Sequence, residues 1–119
     1  MQIKLHNVSG GVFTTSGPQV DFELADAGQA NVTIHVALSD GTHFHFPDGS
    51  SSGTAQSTVL PPGDYTCVVL VAAFGHGSFG RSYKSTVAIG GKKAASATGS
   101  LPAGTDAETD TQAFVLRVS

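Results

Sequence analysis

The sequence predicts an all-β protein, and three observations carry this prediction. Fifteen of the 119 residues are glycine, tryptophan is absent and only 13% of the residues are charged. Short apolar runs alternate with polar residues at a period of two, which is the pattern of half-buried strands. Clusters of Gly, Pro, Asp and Ser, which are typical of turns, separate these runs. Eight short strands divided in this way indicate a β-sandwich or a β-barrel, in a single domain over residues 1–119.

The strands are expected in a regular order along the chain. The sixth is apolar on both faces, which is typical of a central strand with something packed on each side. Residues 90–109 are small, polar and without periodicity, so we interpret them as a long mobile loop before the last strand. The expected strands lie near residues 2–6, 20–24, 31–38, 42–46, 55–60, 65–74, 83–89 and 114–118.

The stretch Leu60-Pro61-Pro62-Gly63-Asp64-Tyr65 leads into the sixth strand. It resembles the corner before the penultimate strand of fibronectin type III and related immunoglobulin-like modules, where a Leu, a Pro/Gly turn and a Tyr precede an alternating apolar strand. The resemblance implies an immunoglobulin-like antiparallel β-sandwich of seven to eight strands. It also implies that Leu60 and Tyr65 fill one end of the core. The residues that it implies to point inward are Cys67, Val69 and Val71.

Charge and hydropathy exclude several classes of partner. The net charge is −3 with only six basic residues, so the basic patch that nucleic-acid binding needs is missing. No run approaches the roughly 18 apolar residues of a membrane-spanning helix. The N-terminus lacks the charged-then-apolar pattern of a signal peptide. We therefore expect a cytoplasmic protein, or one exported by a route that needs no signal peptide.

A glycine motif, Gly75-x-Gly77-x-x-Gly80, has the spacing of a nucleotide-binding loop. A dinucleotide site needs a helix after the loop, whereas the β-branched and aromatic residues 81–89 predict a strand. The loop of protein kinases joins two strands and is similar to GHGSFGR, but the HRD and DFG motifs of kinases are absent. We interpret the glycines as a flexible hairpin tip and expect no nucleotide binding.

No catalytic constellation is visible in the sequence. Cys67 is the single cysteine and lies in an apolar strand, so it is expected to be buried and inert rather than a catalytic thiol. Neither a nucleophile elbow nor a metalloprotease helix occurs. The chain is predicted not to be an enzyme.

His43 and His45 share one face of the fourth strand, and the length of the preceding turn decides where that face points. A two-residue turn would send both imidazoles into the core. A three-residue turn over residues 39–41, with Gly41 in the left-handed conformation, pairs His35 with His45 and turns every histidine outward. The second register is favoured because it buries the phenylalanines of the fourth strand.

His35, His43 and His45 are then neighbours on an outer face. Three imidazoles can supply three ligands to zinc or copper. The His-x-His spacing is also similar to that of cupins, but the acidic ligand that cupins carry a few residues later is missing. The cluster is either a weak zinc or copper site or a set of solvated strand residues, and no other cofactor is expected.

The same outer face is the candidate binding surface. If Cys67 points inward, Val68 and Leu70 point outward, with the histidines on one side and Lys84 on the other. An apolar stripe with a polar rim is typical of a partner surface, and immunoglobulin variable domains pair through the equivalent sheet. The other residues expected on this face are Thr66, Ala72, Ala37, Thr86 and Ala88.

These observations predict a non-catalytic interaction module that binds a protein partner or a second copy of itself. In a competing interpretation, residues 90–109 or the last strand cover the apolar stripe within one chain. The alternative functions are a small zinc- or copper-binding protein that uses the three histidines, and a carbohydrate-binding sandwich.

Overall fold

Two β-sheets form the protein in the computed structural model, which describes residues 3–26, 31–47, 53–74, 81–101 and 107–119. Strands fill most of these ranges and helices are absent from them, so the prediction of an all-β protein is confirmed. It follows that the described residues include no helix able to cross a membrane. The strands are β1 (Ile3–Thr15), β2 (Gln19–Asp26), β3 (Asn31–Leu38), β4 (His43–Phe46), β5 (Ala55–Val59), β6 (Gly63–Phe74), β7 (Arg81–Ile89), β8 (Lys92–Leu101) and β9 (Ala107–Val118).

A five-stranded sheet in the order β1-β9-β6-β3-β4 packs on a four-stranded sheet in the order β5-β2-β7-β8. Neighbouring strands are antiparallel except β1 and β9, which are parallel. The expected sandwich of seven to eight antiparallel strands is therefore corrected to two sheets, of which the larger is mixed. The first and last strands meet only through the fold of the whole chain, so no local sequence pattern predicts their pairing.

The core lies between the two sheets and is built from the alternate residues of each strand. Cys67, Val69 and Val71 point inward as predicted, with exposed fractions of 0, 1 and 4%. Phe22 and Phe46 are the largest fully buried side chains. The remaining buried apolar residues of this cluster are Val20, Leu24, Ile34, Val36, Leu38, Leu60, Ala73, Val87, Ile89, Ala95, Leu116 and Val118.

The corner before β6 closes one end of the core. Leu60 is fully buried, and Tyr65 packs against the core cluster while remaining partly exposed. The Tyr65 hydroxyl donates a hydrogen bond to the carbonyl oxygen of Pro61 over 2.6 Å. The backbone amide of Leu60 donates to the carbonyl of Pro18 at 2.8 Å. The predicted core-filling roles of Leu60 and Tyr65 are thus confirmed.

The segment interpreted as a mobile loop is largely strand. A turn at Gly90 and Gly91, whose φ angles are 60° and 83°, leads into β8, which pairs with β7. The last strand, β9, begins at Ala107 rather than near residue 114. The prediction failed because β8 consists mainly of Ala, Ser, Thr, Gly and Lys, so it shows no apolar alternation. Its strand conformation comes from pairing with β7 rather than from its own propensity.

Gly10 and Gly11 lie inside β1 and do not end it. Their φ angles are 126° and 87°, in the region that favours glycine. The register between β1 and β9 shifts between Ser9 and Val12. The two glycines therefore form a β-bulge, which adds twist to an edge strand.

Two glutamines bind the sandwich together along its sides. The Gln56 side-chain amide on β5 donates to the carbonyl oxygen of His45 on β4, at 2.7 Å. On the opposite side, the Gln112 side chain on β9 accepts a hydrogen bond from the Ser96 amide and donates to the Ser96 carbonyl on β8. Each glutamine joins an outer strand of one sheet to the other sheet.

Ser85 is a buried polar residue of β7. Its side chain is 1% exposed and alternates with the core residues Val87 and Ile89, and its hydroxyl has no hydrogen-bond partner in the described part of the chain. A buried hydroxyl without a partner carries a desolvation cost of about 1–3 kcal/mol. We expect Ser85→Ala to raise the free energy of unfolding by about 1 kcal/mol in urea denaturation. A loss of stability would show that the hydroxyl is bonded in solution.

Candidate functional site

The β3–β4 hairpin sets the positions of the histidines. Its register pairs Val36 with Phe44 and His35 with His45, as predicted from the three-residue turn. Gly41 has the expected left-handed conformation, with φ 94°. The Asp40 carboxylate accepts a hydrogen bond from the Thr42 amide at 2.9 Å, which fixes the turn and lowers the pKa of Asp40.

All three predicted histidines are exposed on the outer side of the five-stranded sheet. His35 and His45 stack, with ring centroids 5.2 Å apart and planes inclined by 16°. His43 lies two residues from His45 along β4, opposite Ala37. No group of three or more His, Cys, Asp or Glu side chains within the described ranges is arranged to hold a metal ion. The structure thus brings together a pair, not the predicted triad.

Val68 and Leu70 lie at the centre of the same side. Both are half-buried, and they alternate along β6 with fully buried core residues. Ala37 is the cross-strand partner of Val68, and His35 is the partner of Leu70. We call this side the outer face. On β3, β4, β6 and β9 its described members, apart from the pair Asp64 and Arg117 at one end, are Thr33, His35, Ala37, His43, His45, Thr66, Val68, Leu70, Ala72, Thr109, Thr111, Ala113 and Val115.

Lys84 does not belong to the outer face. Its strand, β7, lies in the four-stranded sheet, so the expected position of Lys84 beside β6 is wrong. Thr86 and Ala88, predicted as outward neighbours of the stripe, are buried in that other sheet at 6 and 8% exposure. The strand beside β6 is β9.

The sequence prediction missed the contribution of β9 to the outer face. Thr111 pairs with Leu70, and Ala113 pairs with Val68, so both extend the stripe by one strand. Their small and weakly polar side chains give no alternation from which the strand could be traced back to Ala107. The one available signal was the alternation from Phe114 onward. Continued toward the N-terminus, this alternation predicts which of the preceding residues point toward the core and which point outward.

Charge on the outer side of β6 and β9 is confined to one end and is neutralised there. The Arg117 guanidinium donates to both Asp64 carboxylate oxygens, at 2.9 and 3.1 Å. These hydrogen bonds lower the pKa of Asp64 and raise the pKa of Arg117. Apart from this pair, the described residues on the outer side of β3, β4, β6 and β9 include no Asp, Glu, Lys or Arg. The face can therefore meet another surface without leaving a charge unpaired.

Neither segment proposed to cover the stripe does so in the described ranges. The last strand, β9, lies within the five-stranded sheet beside β6, and β8 lies in the opposite sheet. Of the pair Leu101-Pro102, Pro102 lies outside the described residues. The outer face is thus open to solvent in the part of the chain that the structure describes.

Cys67 is on the core side of β6 and is fully buried. Burial raises the pKa of its thiol to about 12. The thiolate, which is the nucleophilic form, is therefore scarce at neutral pH. This environment is that of a packing residue, as expected from the sequence.

A small cleft lies where β1 and β9 approach β8. Its volume is about 170 Å³, and Phe13, Gln112 and Phe114 line part of it. Ligand pockets usually measure about 300–1,000 Å³, so the cleft is small for an organic ligand.

The glycines of the nucleotide-like motif, residues 75–80, lie outside the described residues.

Comparison of the chain with protein-family models, with curated proteins and with solved structures finds no match.

Proposed function

We propose that the chain is a non-catalytic interaction module that associates with a second copy of itself through the outer face. The observation that carries this proposal is a sheet face with an apolar centre, at Val68 and Leu70, whose described charge on β3, β4, β6 and β9 is one ion pair at one end, Asp64 with Arg117. A surface that is uncharged and apolar at its centre can pack against itself without like-charge repulsion. Two-fold dimers use such self-complementary patches.

The size of the five-stranded sheet is sufficient for a stable dimer. The five strands contain 13, 12, 12, 8 and 4 residues, which is 49 residues in all. At roughly 3.3 Å per residue and about 4.8 Å between strands, the sheet has a footprint of roughly 780 Å². This is close to the area of about 800 Å² that each partner buries in a standard protein–protein interface.

An immunoglobulin-like assignment supports this choice of sheet. Tyr65 begins the strand after a corner and bonds back to the backbone at Pro61, which is the arrangement of the tyrosine corner in immunoglobulin-like domains. The sheet order β9-β6-β3-β4 is similar to the order G-F-C-C′ of variable-type domains. Variable domains pair through that sheet.

The other functions considered have weaker support. A heterologous protein partner would use the same outer face, and the association test below separates it from a second copy. Carbohydrate binding usually needs an exposed aromatic platform, whereas Phe44 packs against the core. A metal-binding role has one supporting observation, the stacked pair His35 and His45.

The proposal is tested by recording amide NMR spectra of the purified chain from about 10 μM to about 1 mM. We expect concentration-dependent shifts in residues 66–72 and 109–115, because these segments form the centre of the outer face. Sedimentation velocity on the same samples should show dimers. Shifts confined to the four-stranded sheet would contradict the assigned face. A monomer without shifts at the highest concentration would exclude self-association and leave a heterologous protein as the partner.

A further inference from the structure

The pair His35 and His45 is directly cross-strand and exposed, and its spacing suits a metal ion. In a tetrahedral zinc site the Zn–N distance is about 2.0 Å, so the ring centroids of two bound imidazoles are about 5 Å apart. The observed separation is 5.2 Å. The rings are stacked, and rotation about χ2 turns one nitrogen of each toward a common point above the sheet. Exposed rings can rotate in this way without disturbing the core.

One chain supplies too few ligands for a complete site. Zinc sites in proteins have three or four protein ligands, and the described residues contain no cluster of three metal-binding side chains. We propose that a zinc ion joins two copies of the chain, with His35 and His45 of each copy as its four ligands. This inference rests on the proposed self-association and assigns the metal ion and the ligands that join the two copies.

The strand registers place the pair where a two-fold axis can pass. His45 pairs with His35, His35 with Leu70, and Leu70 with Thr111. These four residues form one row across β4, β3, β6 and β9. An axis along this row brings each of its residues opposite itself, so the histidine pairs of two copies meet while Leu70 packs on Leu70.

The thickness of such an interface is compatible with the site. Packed sheets lie about 10 Å apart, so a metal ion at the midplane is about 5 Å above each sheet. An imidazole side chain with a Zn–N bond of about 2 Å spans this distance when the side chain is tilted. His43 lies in the adjoining row, with Ala37 and Val68, and is therefore not a ligand in this arrangement.

The ligand set of the proposed site indicates which metal ions it can hold. Gln56 donates to the carbonyl oxygen of His45 at 2.7 Å and so holds the short strand β4 in place. The described carboxylate on the outer side of β6 is Asp64, which Arg117 binds at one end of the strand, so the four-imidazole set carries no negative ligand. Imidazole suits zinc, copper and nickel, whereas magnesium and calcium prefer oxygen ligands. We therefore expect that the site does not bind magnesium.

The experiment is sedimentation equilibrium of the full chain, first with EDTA and then with increasing zinc chloride. We expect zinc to lower the dimer dissociation constant at least 10-fold, and magnesium at the same concentration to have no effect. Isothermal titration calorimetry should give one zinc ion per two chains. One zinc per single chain without dimer formation would overturn the bridge, as would no zinc binding at about 100 μM.

Three single substitutions separate the bridge from the triad predicted by sequence. His35→Ala and His45→Ala should each abolish the zinc effect, so that the dissociation constant of each variant is the same in zinc as in EDTA. His43→Ala should retain the zinc effect, whereas a triad within one chain would lose it. Circular dichroism checks that each variant is folded. Loss of the zinc effect in His43→Ala alone would refute the four-imidazole site.

The two proposals fail in distinguishable ways. Dimers that form equally well in EDTA and in zinc would support the interaction module and refute the zinc bridge. Monomers in both conditions, together with zinc bound to single chains, would refute both. Dimers that require zinc and disappear in His45→Ala would support the bridge and show that the apolar contact alone is too weak.

Discussion

Replacing Val68 with Glu and Leu70 with Lys will weaken self-association at least 100-fold while the monomer stays folded. Both side chains lie at the centre of the outer face and point away from the core. In the proposed dimer, the introduced lysine would face its own copy across the two-fold axis, and buried like charges cost several kcal/mol. Sedimentation equilibrium measures the loss, and thermal denaturation checks the fold. The monomer should lose no more than about 2 kcal/mol of stability, from weaker packing and strand propensity.

A matched control places the same two charges on the other sheet. Val59 is 70% exposed on β5, and Ala55 is exposed on the same strand. Val59→Glu with Ala55→Lys should leave the dissociation constant within about threefold. An equal loss in both double variants would mean that any added charge disturbs association, so the outer face would have no special role. Unfolding of the Val68 and Leu70 variant would instead identify the stripe as part of a second core.

The second large effect is expected at the corner before β6. Tyr65→Ala removes a ring that packs against the core cluster and a hydrogen bond of 2.6 Å to Pro61. The lost packing should cost about 2 kcal/mol and the lost hydrogen bond about 1 kcal/mol. We therefore expect urea denaturation to show a loss of about 3 kcal/mol.

Tyr65→Phe separates the two contributions, because it keeps the ring and removes only the hydroxyl. It should cost about 1 kcal/mol, since a net hydrogen bond contributes about that much. A loss under about 1 kcal/mol for Tyr65→Ala would mean that the corner is held by Leu60 alone. The resemblance to immunoglobulin-like modules would then have no energetic counterpart at this position.

The β3–β4 hairpin shows what local pattern can predict. Its register followed from one condition, that Phe44 and Phe46 are buried while the histidines are exposed. A shift by one residue reverses every side chain, so the wrong register would have buried two imidazoles and exposed two phenyl rings. The inward direction of Cys67 was instead implied by the resemblance of the preceding corner to immunoglobulin-like modules, because its strand is apolar on both faces.

Strand order was beyond the reach of the same logic. Nothing in the sequence of β7 distinguishes a neighbour of β6 from a neighbour of β2, so Lys84 was placed on the wrong sheet. The pairing of β1 with β9 joins the two ends of the described chain. Such contacts depend on the fold of the whole sandwich and cannot be predicted from a short stretch of sequence.

The sequence predicted that exposed histidines lie together at the candidate site, but it predicted three of them where the structure brings two together. Sequence spacing brought three histidines to one face, and the structure stacks two of them and leaves His43 in the next row. The difference arises because adjacent rows in a strand lie about 6.6–7 Å apart, whereas cross-strand partners are about 5 Å apart. Pairing across strands therefore determines which imidazoles meet.

The glutamine contacts on the sides of the sandwich also limit how the molecule can aggregate. A strand at the edge of a sheet can recruit a foreign strand through its unpaired amides and carbonyls. The Gln112 side chain occupies both backbone groups of Ser96 on the edge strand β8. Gln56 similarly occupies the carbonyl of His45 on the four-residue edge strand β4. With these groups taken and β1 twisted by its bulge, the addition of a foreign strand is hindered at three of the four edges.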